Sequence, residues 1–312
     1  MYNDFHKKIG VIGKGSQFKR ISKILRKKRN SYFLYKPNNS KYYDKKEFDK
    51  LSKCQIIFIL SPNHTHFKYI KKFYKNKYIF CEKPPVNSRN DLIKLKKINH
   101  KKIYFNYNFR YSLIGQILSD RKKYKLGDLL YGNIITGHGL GFKKEYLTSW
   151  RSNLKLCKKG VFEIVSIHWI DLINYFFNIN KIQKPKLINF LKKGTSFDNS
   201  YCKINLKKSF EVDLFSSYSS PLINKILFVF KNGTIEKNEN FIEIRGPAIN
   251  LNKKNFFIKP KLIKKIKINE SKDYNDSLEK SVDYFLKISL GKKYFNKKSF
   301  DCSTKSNEIL LS

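Results

Sequence analysis

Acidic residues are scarce in this chain. Asp and Glu number 24 against 66 Lys and Arg, a formal net charge of +42 over 312 residues. An excess of that size points first to nucleic acid, but nothing concentrates it. The lysines come as singles and pairs from Lys7-Lys8 to Lys292-Lys293, with no basic tail and no arginine-rich block. Lys, Asn, Ile, Tyr and Phe are abundant together and share A/T-rich codons, so coding bias explains a lysine-heavy surface without a polyanionic partner. Nucleic acid is therefore not the expected partner, and the charge favours anionic small molecules such as cofactor phosphates. Cysteine is sparse too. Cys54, Cys81, Cys157, Cys202 and Cys302 lie far apart with no CxxC pair, which argues against a disulfide framework and a structural zinc site. No metal is expected. No apolar run reaches about 18 residues, so neither a membrane span nor a membrane partner is expected. The N-terminus MYNDFHKKIGVIG lacks the shape of a signal peptide. The expected compartment is the cytoplasm.

What is present is strand–helix alternation. IGVIG (9–13) is a short apolar run ending in glycine, and SQFKRISKILRK (16–27) spaces Phe18, Ile21, Ile24 and Leu25 as a helix does. SYFLYK (31–36) reads as a strand stopped by Pro37 and the turn residues Asn38, Asn39 and Ser40. QIIFIL (55–60) is apolar throughout, as a strand buried on both faces of a parallel sheet must be. A helix over 66–76, a strand over 78–84, a helix capped by Ser88 with Asp91 three residues on, and a strand over 102–109 follow. After about residue 125 the pattern changes to segments such as 128–139, 201–218, 225–238 and 240–246, read as antiparallel strands with an Asn232-Gly233 hairpin turn. Helices are read over 160–178 and 276–291. The expected fold is α/β. A Rossmann-type doubly wound parallel sheet over 1–122 precedes an α+β domain with an open, mostly antiparallel sheet over 123–312.

Several motifs sit where such a sheet binds ligands. GKGSQF (13–18) follows a strand and opens a helix. Gly13 permits a tight turn, and Gly15 lets backbone amides approach a pyrophosphate, with Ser16, Gln17 and Phe18 beside it. Phe18 stands where the third glycine of GxGxxG belongs. The second strand ends in Tyr35-Lys36, where NAD-binding domains place an acid for the ribose hydroxyls. A lysine there suits a 2′-phosphate, favouring NADP over NAD, and Tyr35 is a candidate to lie by the adenine. Ser61, Pro62, Asn63 and His66 follow the third strand, and Glu82-Lys83-Pro84 the fourth. Pro84 biases Lys83 toward extended backbone, aiming it off the strand end. Further on come Asn108 and Arg110, the pair Trp150-Arg151, and His168 with Asp171 one helical turn beyond. Taken alone, each has an ordinary structural explanation, and His168 among Ile164, Ile167 and Trp169 reads as a packed core histidine.

In order, these motifs resemble the glucose-fructose oxidoreductase/inositol dehydrogenase/MocA (Gfo/Idh/MocA) family over residues 8–178, and EKP is the most specific of them. The resemblance implies an NAD or NADP enzyme acting on a hydroxyl/keto pair of a sugar, cyclitol or nucleotide-sugar, assembled as a homodimer or homotetramer through the second domain's sheet. Lys83 and His168 are the implied catalytic residues. Lys83 lies beside the nicotinamide and steadies the reacting oxygen, and His168 moves its proton. Gly13, Gly15, Ser16, Gln17, Phe18, Tyr35, Lys36, Ser61, Pro62, Asn63, His66, Glu82, Lys83, Trp150 and Arg151 are assigned to the cofactor. Lys83, Asn108, Arg110 and His168 are assigned to the substrate. The Lys83–Pro84 bond is implied to be cis. One departure stands out. The family usually has an aspartate one turn before the histidine; here the position is Ile164, with Glu163 about 100° round an α-helix. That keeps two alternatives open: a dinucleotide-binding sensor without turnover, and, from the charge alone, a basic nucleic-acid binder.

Overall fold

The computed structural model describes residues 7–37, 45–98, 101–207, 210–247 and 251–312. The chain forms two compact units, Met1–Asn108 with Asn275–Leu311, and Phe109–Tyr274 with Ser312. This differs from a single cut after residue 122, because the C-terminal helices return to the first unit. The turn residues Asn38, Asn39 and Ser40 lie outside the described residues.

The first unit is built on five parallel strands, β1 (Ile9–Ile12), β2 (Tyr32–Tyr35), β3 (Ile56–Ile59), β4 (Tyr78–Glu82) and β5 (Ile103–Asn106), in the order β2-β1-β3-β4-β5. Between them run α1 (Ser16–Lys27), α2 (Lys45–Ser52), α3 (His66–Phe73) and α4 (Arg89–Lys96). Every residue of β1, β3 and β5 is buried, which is why these strands read as unbroken apolar runs. The register sets Ile12 beside Tyr35 and Ile59, Ile59 beside Cys81, and Glu82 beside Asn106, so all five carboxyl ends finish together. Ser88 caps α4 by accepting the Asp91 N–H at 3.1 Å.

The last two helices of the chain complete this unit's core. The later part of α7 (Glu270–Ser289) sets Phe285 against Phe58 and Phe80, each at 5.4 Å between ring centroids. On the opposite face of β5, α8 (Lys297–Leu311) sets Phe300 against Phe105 at 5.4 Å. Sequence periodicity shows α7 as an amphipathic helix but gives no sign that its partners lie some 200 residues upstream.

The second unit begins with α5 (Leu113–Ser119) and centres on a nine-stranded sheet. Its strands are β6 (Leu129–Gly137), β7 (Ile179–Ile182), β8 (Lys186–Ile188), β9 (Asn199–Leu206), β10 (Glu211–Ser217), β11 (Ile223–Phe230), β12 (Gly233–Lys237), β13 (Phe241–Arg245) and β14 (Leu262–Lys267). They run in the order β14-β13-β12-β11-β6-β10-β9-β7, with β8 also on β9. All pairs are antiparallel except β6–β10. Buried and half-exposed residues alternate along β9, β10 and β13, the mark of a sheet with one packed and one open face. The helix read over 160–178 is not uniform. Phe162–Ser166 is a π-helix, followed by α6 (Ile167–Phe177). The Ile167 N–H bonds the Phe162 carbonyl five residues back, so a count of 100° per residue does not hold across this segment.

Candidate active site

In an open α/β sheet, ligands bind at the carboxyl ends where strand order reverses. Here the reversal lies between β1 and β3. Gly13, just past β1, has φ +98°, and a Cβ there would lie 2.9 Å from the backbone of Leu60 and Ser61. Only glycine lets the turn run this close to β3. Its N–H is held by the Tyr35 carbonyl at 3.0 Å. Gly15 is the N-cap of α1; a Cβ there would meet nothing within 4 Å, and no side chain caps the helix. An open approach to uncapped helix amides, with no acid in the first turn, fits a dinucleotide pyrophosphate. Lys14, Gly15 and Ser16 are exposed at this approach.

The strand ends carry a connected polar network. Glu82 is buried, and its Oε1 accepts from Asn106 Nδ2 at 2.6 Å and from Gln17 Nε2 at 3.1 Å. Asn106 Oδ1 in turn accepts from Ser281 on α7 at 2.6 Å. Burial pushes the Glu82 carboxyl up; Lys83, Asn106 and Gln17 pull it back part of the way. Lys83 is only 9% exposed, and the Lys83–Pro84 bond is cis. His66 is fully buried, with Nδ1 2.8 Å from the Pro84 carbonyl and Nε2 2.8 Å from the Ser61 carbonyl. It joins the end of β3 to the turn that follows Lys83. Burial lowers its pKa to about 4, although both carbonyls favour the charged ring. Asn63 Nδ2 is buried without a hydrogen-bond partner among the described residues, a donor suited to a ligand acceptor at the strand end.

In the second unit, His168 on α6 is 9% exposed and stacks on Phe109 with centroids 4.3 Å apart. Trp150 and Arg151 lie in a short 3₁₀ turn, the guanidinium 4.6 Å from the indole. Around Tyr218 the fold gathers groups from separate segments: Tyr146, Arg151, Cys157 and Glu163. Glu163 Oε2 accepts the Lys159 N–H at 3.1 Å. Burial raises the Cys157 thiol, helped by Glu163 and opposed by Arg151. Burial likewise pushes the Tyr146 phenol up to about 12 and the Tyr218 phenol well above its usual value. Both hydroxyls are buried without a hydrogen-bond partner among the described residues. Gly160, with φ +54°, closes the turn before the helix; a Cβ there would collide with the Phe197 carbonyl.

Residues 7–106 match the model of the GFO_IDH_MocA family, described as an oxidoreductase family with an NAD-binding Rossmann fold. The match covers about a third of the chain. No curated protein matches the chain in sequence. Solved structures do match its fold. A levoglucosan dehydrogenase, in complex with NADH and levoglucosan, aligns at TM-score 0.77 and 13% identity over 97% of this chain and 95% of its own. An oxidoreductase from Agrobacterium radiobacter, in complex with NAD+, L-tartaric acid and magnesium, aligns at 0.73 and 13%, over 97% and 94%. One from Thermotoga maritima aligns at 0.76 and 14%, over 98% and 94%. At these identities the likeness is one of fold.

In the first unit, the strand ends bring Gly13, Gln17, Ser61, Asn63, His66, Glu82 and Lys83 to one edge of the sheet. Other residues are employed differently from their expected roles. Tyr35 is buried and packs edge-on against Phe48 at 5.8 Å, where an adenine cannot reach its ring. Lys36 beside it is exposed. Phe18 packs edge-on against Tyr32 at 5.9 Å, filling space that a glycine would leave. His66 and Glu82 face inward as braces. Asn108 is fully buried, its Nδ2 donating to Ser277 at 2.8 Å. Arg110 forms a two-pronged pair with Asp171 at 2.6 and 2.7 Å, both side chains buried, and its guanidinium lies 4.5 Å from the Tyr175 ring. The family resemblance assigns Asn108 and Arg110 to the substrate, and the tertiary structure engages both in internal bonds. The Tyr146–Cys157–Glu163–Tyr218 group has no spacing that marks it in the sequence. Among the described residues no cluster of three or more His, Cys, Asp or Glu could hold a metal ion, and no helix is long and apolar enough to cross a membrane.

Proposed function

We propose that the protein is an NAD(P)-dependent oxidoreductase that interconverts a hydroxyl and a keto carbon of a sugar, cyclitol or nucleotide-sugar. One observation supports this above the others: Lys83, nearly buried, at the carboxyl end of β4 in a dinucleotide-type sheet whose turn at Gly13–Ser16 is open to a pyrophosphate. The α1 amides bind the pyrophosphate. Asn63 Nδ2 serves an acceptor on the ribose side. Lys83 donates to the reacting oxygen and steadies negative charge as it develops. His168 takes the hydroxyl proton in oxidation and returns it in reduction. The bound nicotinamide supplies the hydride chemistry. Exposed Lys36, with no carboxylate beside it at the end of β2 among the described residues, supports NADP over NAD. The sugar class is supported by the levoglucosan dehydrogenase that shares the fold. Among the described residues no cysteine forms a disulfide, in keeping with a reducing compartment such as the cytoplasm. We also propose a homodimer or homotetramer through the open sheet face, where Tyr131 and Tyr201 both donate to Asp213 at 2.8 Å. Light scattering on the native protein and on Phe215→Glu tests that assembly.

The deciding experiment pairs NADPH and NADH fluorescence titration with turnover on keto-sugars and polyols, in the native protein, Lys83→Met and His168→Gln. Turnover is expected to fall by roughly 10²–10⁴-fold in each variant while cofactor binding persists. Full turnover in Lys83→Met would sink the assignment. A second reading, a dinucleotide-binding protein without turnover, is favoured by Ile164 at the relay position and by Glu163's engagement with the Lys159 amide. Tight NADPH binding with no oxidation on any substrate supports it.

A further inference from the structure

Residues 251–267, LNKKNFFIKPKLIKKIK, combine a high basic content with exposed apolar side chains. Seven of these seventeen residues are lysine and none is acidic, against 66 Lys and Arg in 312 residues overall. The segment therefore has about twice the basic density that coding bias gives the rest. It also holds the densest exposed apolar run of the second unit: Phe256 is 66% exposed, Phe257 90% and Ile258 42%, with Leu262 and Ile263 following on β14.

These side chains are presented on an ordered turn. The Asn252 N–H donates to the Phe256 carbonyl at 2.9 Å, and the Asn255 N–H to the Asn252 carbonyl at 3.0 Å. Asn252 Oδ1 accepts the N–H groups of Lys254 at 2.8 Å and Phe256 at 3.1 Å. Asn255 takes the left-handed conformation, φ 60°, that asparagine tolerates, and Leu251 bridges Phe257. The chain then enters β14, the edge strand of the sheet, with five of its six residues exposed. Two adjacent phenylalanines are thus held out by backbone hydrogen bonds and ringed by Lys253, Lys254, Lys259 and Lys261.

We propose that this hairpin is a peripheral docking surface for a lipid bilayer with anionic headgroups, Phe256, Phe257 and Ile258 entering the headgroup–acyl boundary while the lysines bind headgroup phosphates. This revises the expectation of no membrane partner, without any spanning segment, and is independent of the chemistry assigned to Lys83. Charge complementarity selects the partner. A second copy of the chain brings +42 of its own to a segment without one acid. Base-edge readout relies most on arginine, of which 251–267 has none, and beside its two phenylalanine rings the segment exposes aliphatic Ile258, Leu262 and Ile263, which do not stack on bases. Aliphatic and aromatic tips flanked by lysine suit an interface that is apolar below and anionic above.

The test is vesicle flotation of the full chain at about 0.15 M salt, with phosphatidylcholine alone and with phosphatidylcholine containing a third phosphatidylglycerol. The protein is expected to float with the anionic vesicles only. Phe256→Ser/Phe257→Ser, which changes no charge, should weaken binding at least about tenfold. Lys253→Gln/Lys254→Gln/Lys259→Gln should weaken it about fivefold per lysine. Both variants should keep the native unfolding midpoint, since the altered side chains are exposed. In Phe257→Trp, the new indole should shift to the blue on vesicle binding and be quenched by brominated lipid. Unchanged flotation of the double phenylalanine variant overturns the proposal, since diffuse charge then explains the binding. So does an indole that stays in water. Loss of duplex DNA binding in the phenylalanine variant would identify a nucleic-acid surface instead, and its conversion from oligomer to monomer would identify an interface between copies.

Discussion

The two units place their polar groups by different rules. In the first, parallel topology brings every strand's carboxyl end to one edge, and the polar residues lie just past those ends: Gly13, Ser61, Asn63, Glu82 and Lys83. Position along the chain is then nearly position in the site. In the second, a mixed sheet has no such edge, and the polar groups are packed inside. Arg110 pairs with Asp171, and Tyr146, Arg151, Cys157 and Glu163 gather around Tyr218. There, residue type and spacing say little about which groups meet. A motif following a strand end therefore fixes where its residues lie in the first unit, while in the second the chain order says little about which groups meet.

The contrast can be broken experimentally, most sharply at Arg110. If it braces the second unit, Arg110→Ala removes the two-pronged partner of the buried Asp171 carboxylate and should cost about 3–5 kcal/mol in urea unfolding. A rise in KM at unchanged stability would make it a substrate residue after all. The next effect concerns acid. The His66 pKa is depressed from 6.5 to about 4, so the unfolded chain binds the extra proton first as pH falls. The stability from the neutral ring, about 3 kcal/mol, is complete above pH 6.5 and lost as pH drops through 4. Unfolding free energies between pH 7 and 4 should show this slope, and His66→Gln should flatten it. The smallest effect on stability separates two glycines. Gly13→Ala should cost about 1–3 kcal/mol, because its Cβ meets the Leu60 backbone at positive φ. Gly15→Ala should leave thermal unfolding nearly unmoved, since open space surrounds it, yet weaken NADPH binding in a titration by crowding the amides. Equal behaviour of the two would remove the pyrophosphate assignment at Gly15.

Much of the first unit was legible in the sequence. The strands at 9–13, 31–36, 55–60 and 78–84 form close to where their apolar runs lie, because parallel strands buried on both faces tolerate little else. Ser88 and Asp91 gave the start of α4. The contribution of α7 and α8 was hidden. Phe285 meets Phe58 and Phe80 through long-range packing, and local periodicity carries no record of its partner. His66 and Glu82 were correctly associated with the strand ends but read as cofactor contacts; burial turned them inward. Glu163 was judged by α-helical angles across a segment that winds as a π-helix.

From the sequence alone came the kind of fold and the order of the strand-end motifs, since local hydrophobic runs and glycine positions dictate those, and the family resemblance of that order made Lys83 the residue to test. Only the tertiary structure decided the roles of Arg110, Asn108 and Tyr35 and the exposure of Phe256 and Phe257. The physical reason is that a side chain's role depends on what it is buried against, and in this chain those partners are often more than 50 residues away, as Arg110 is from Asp171.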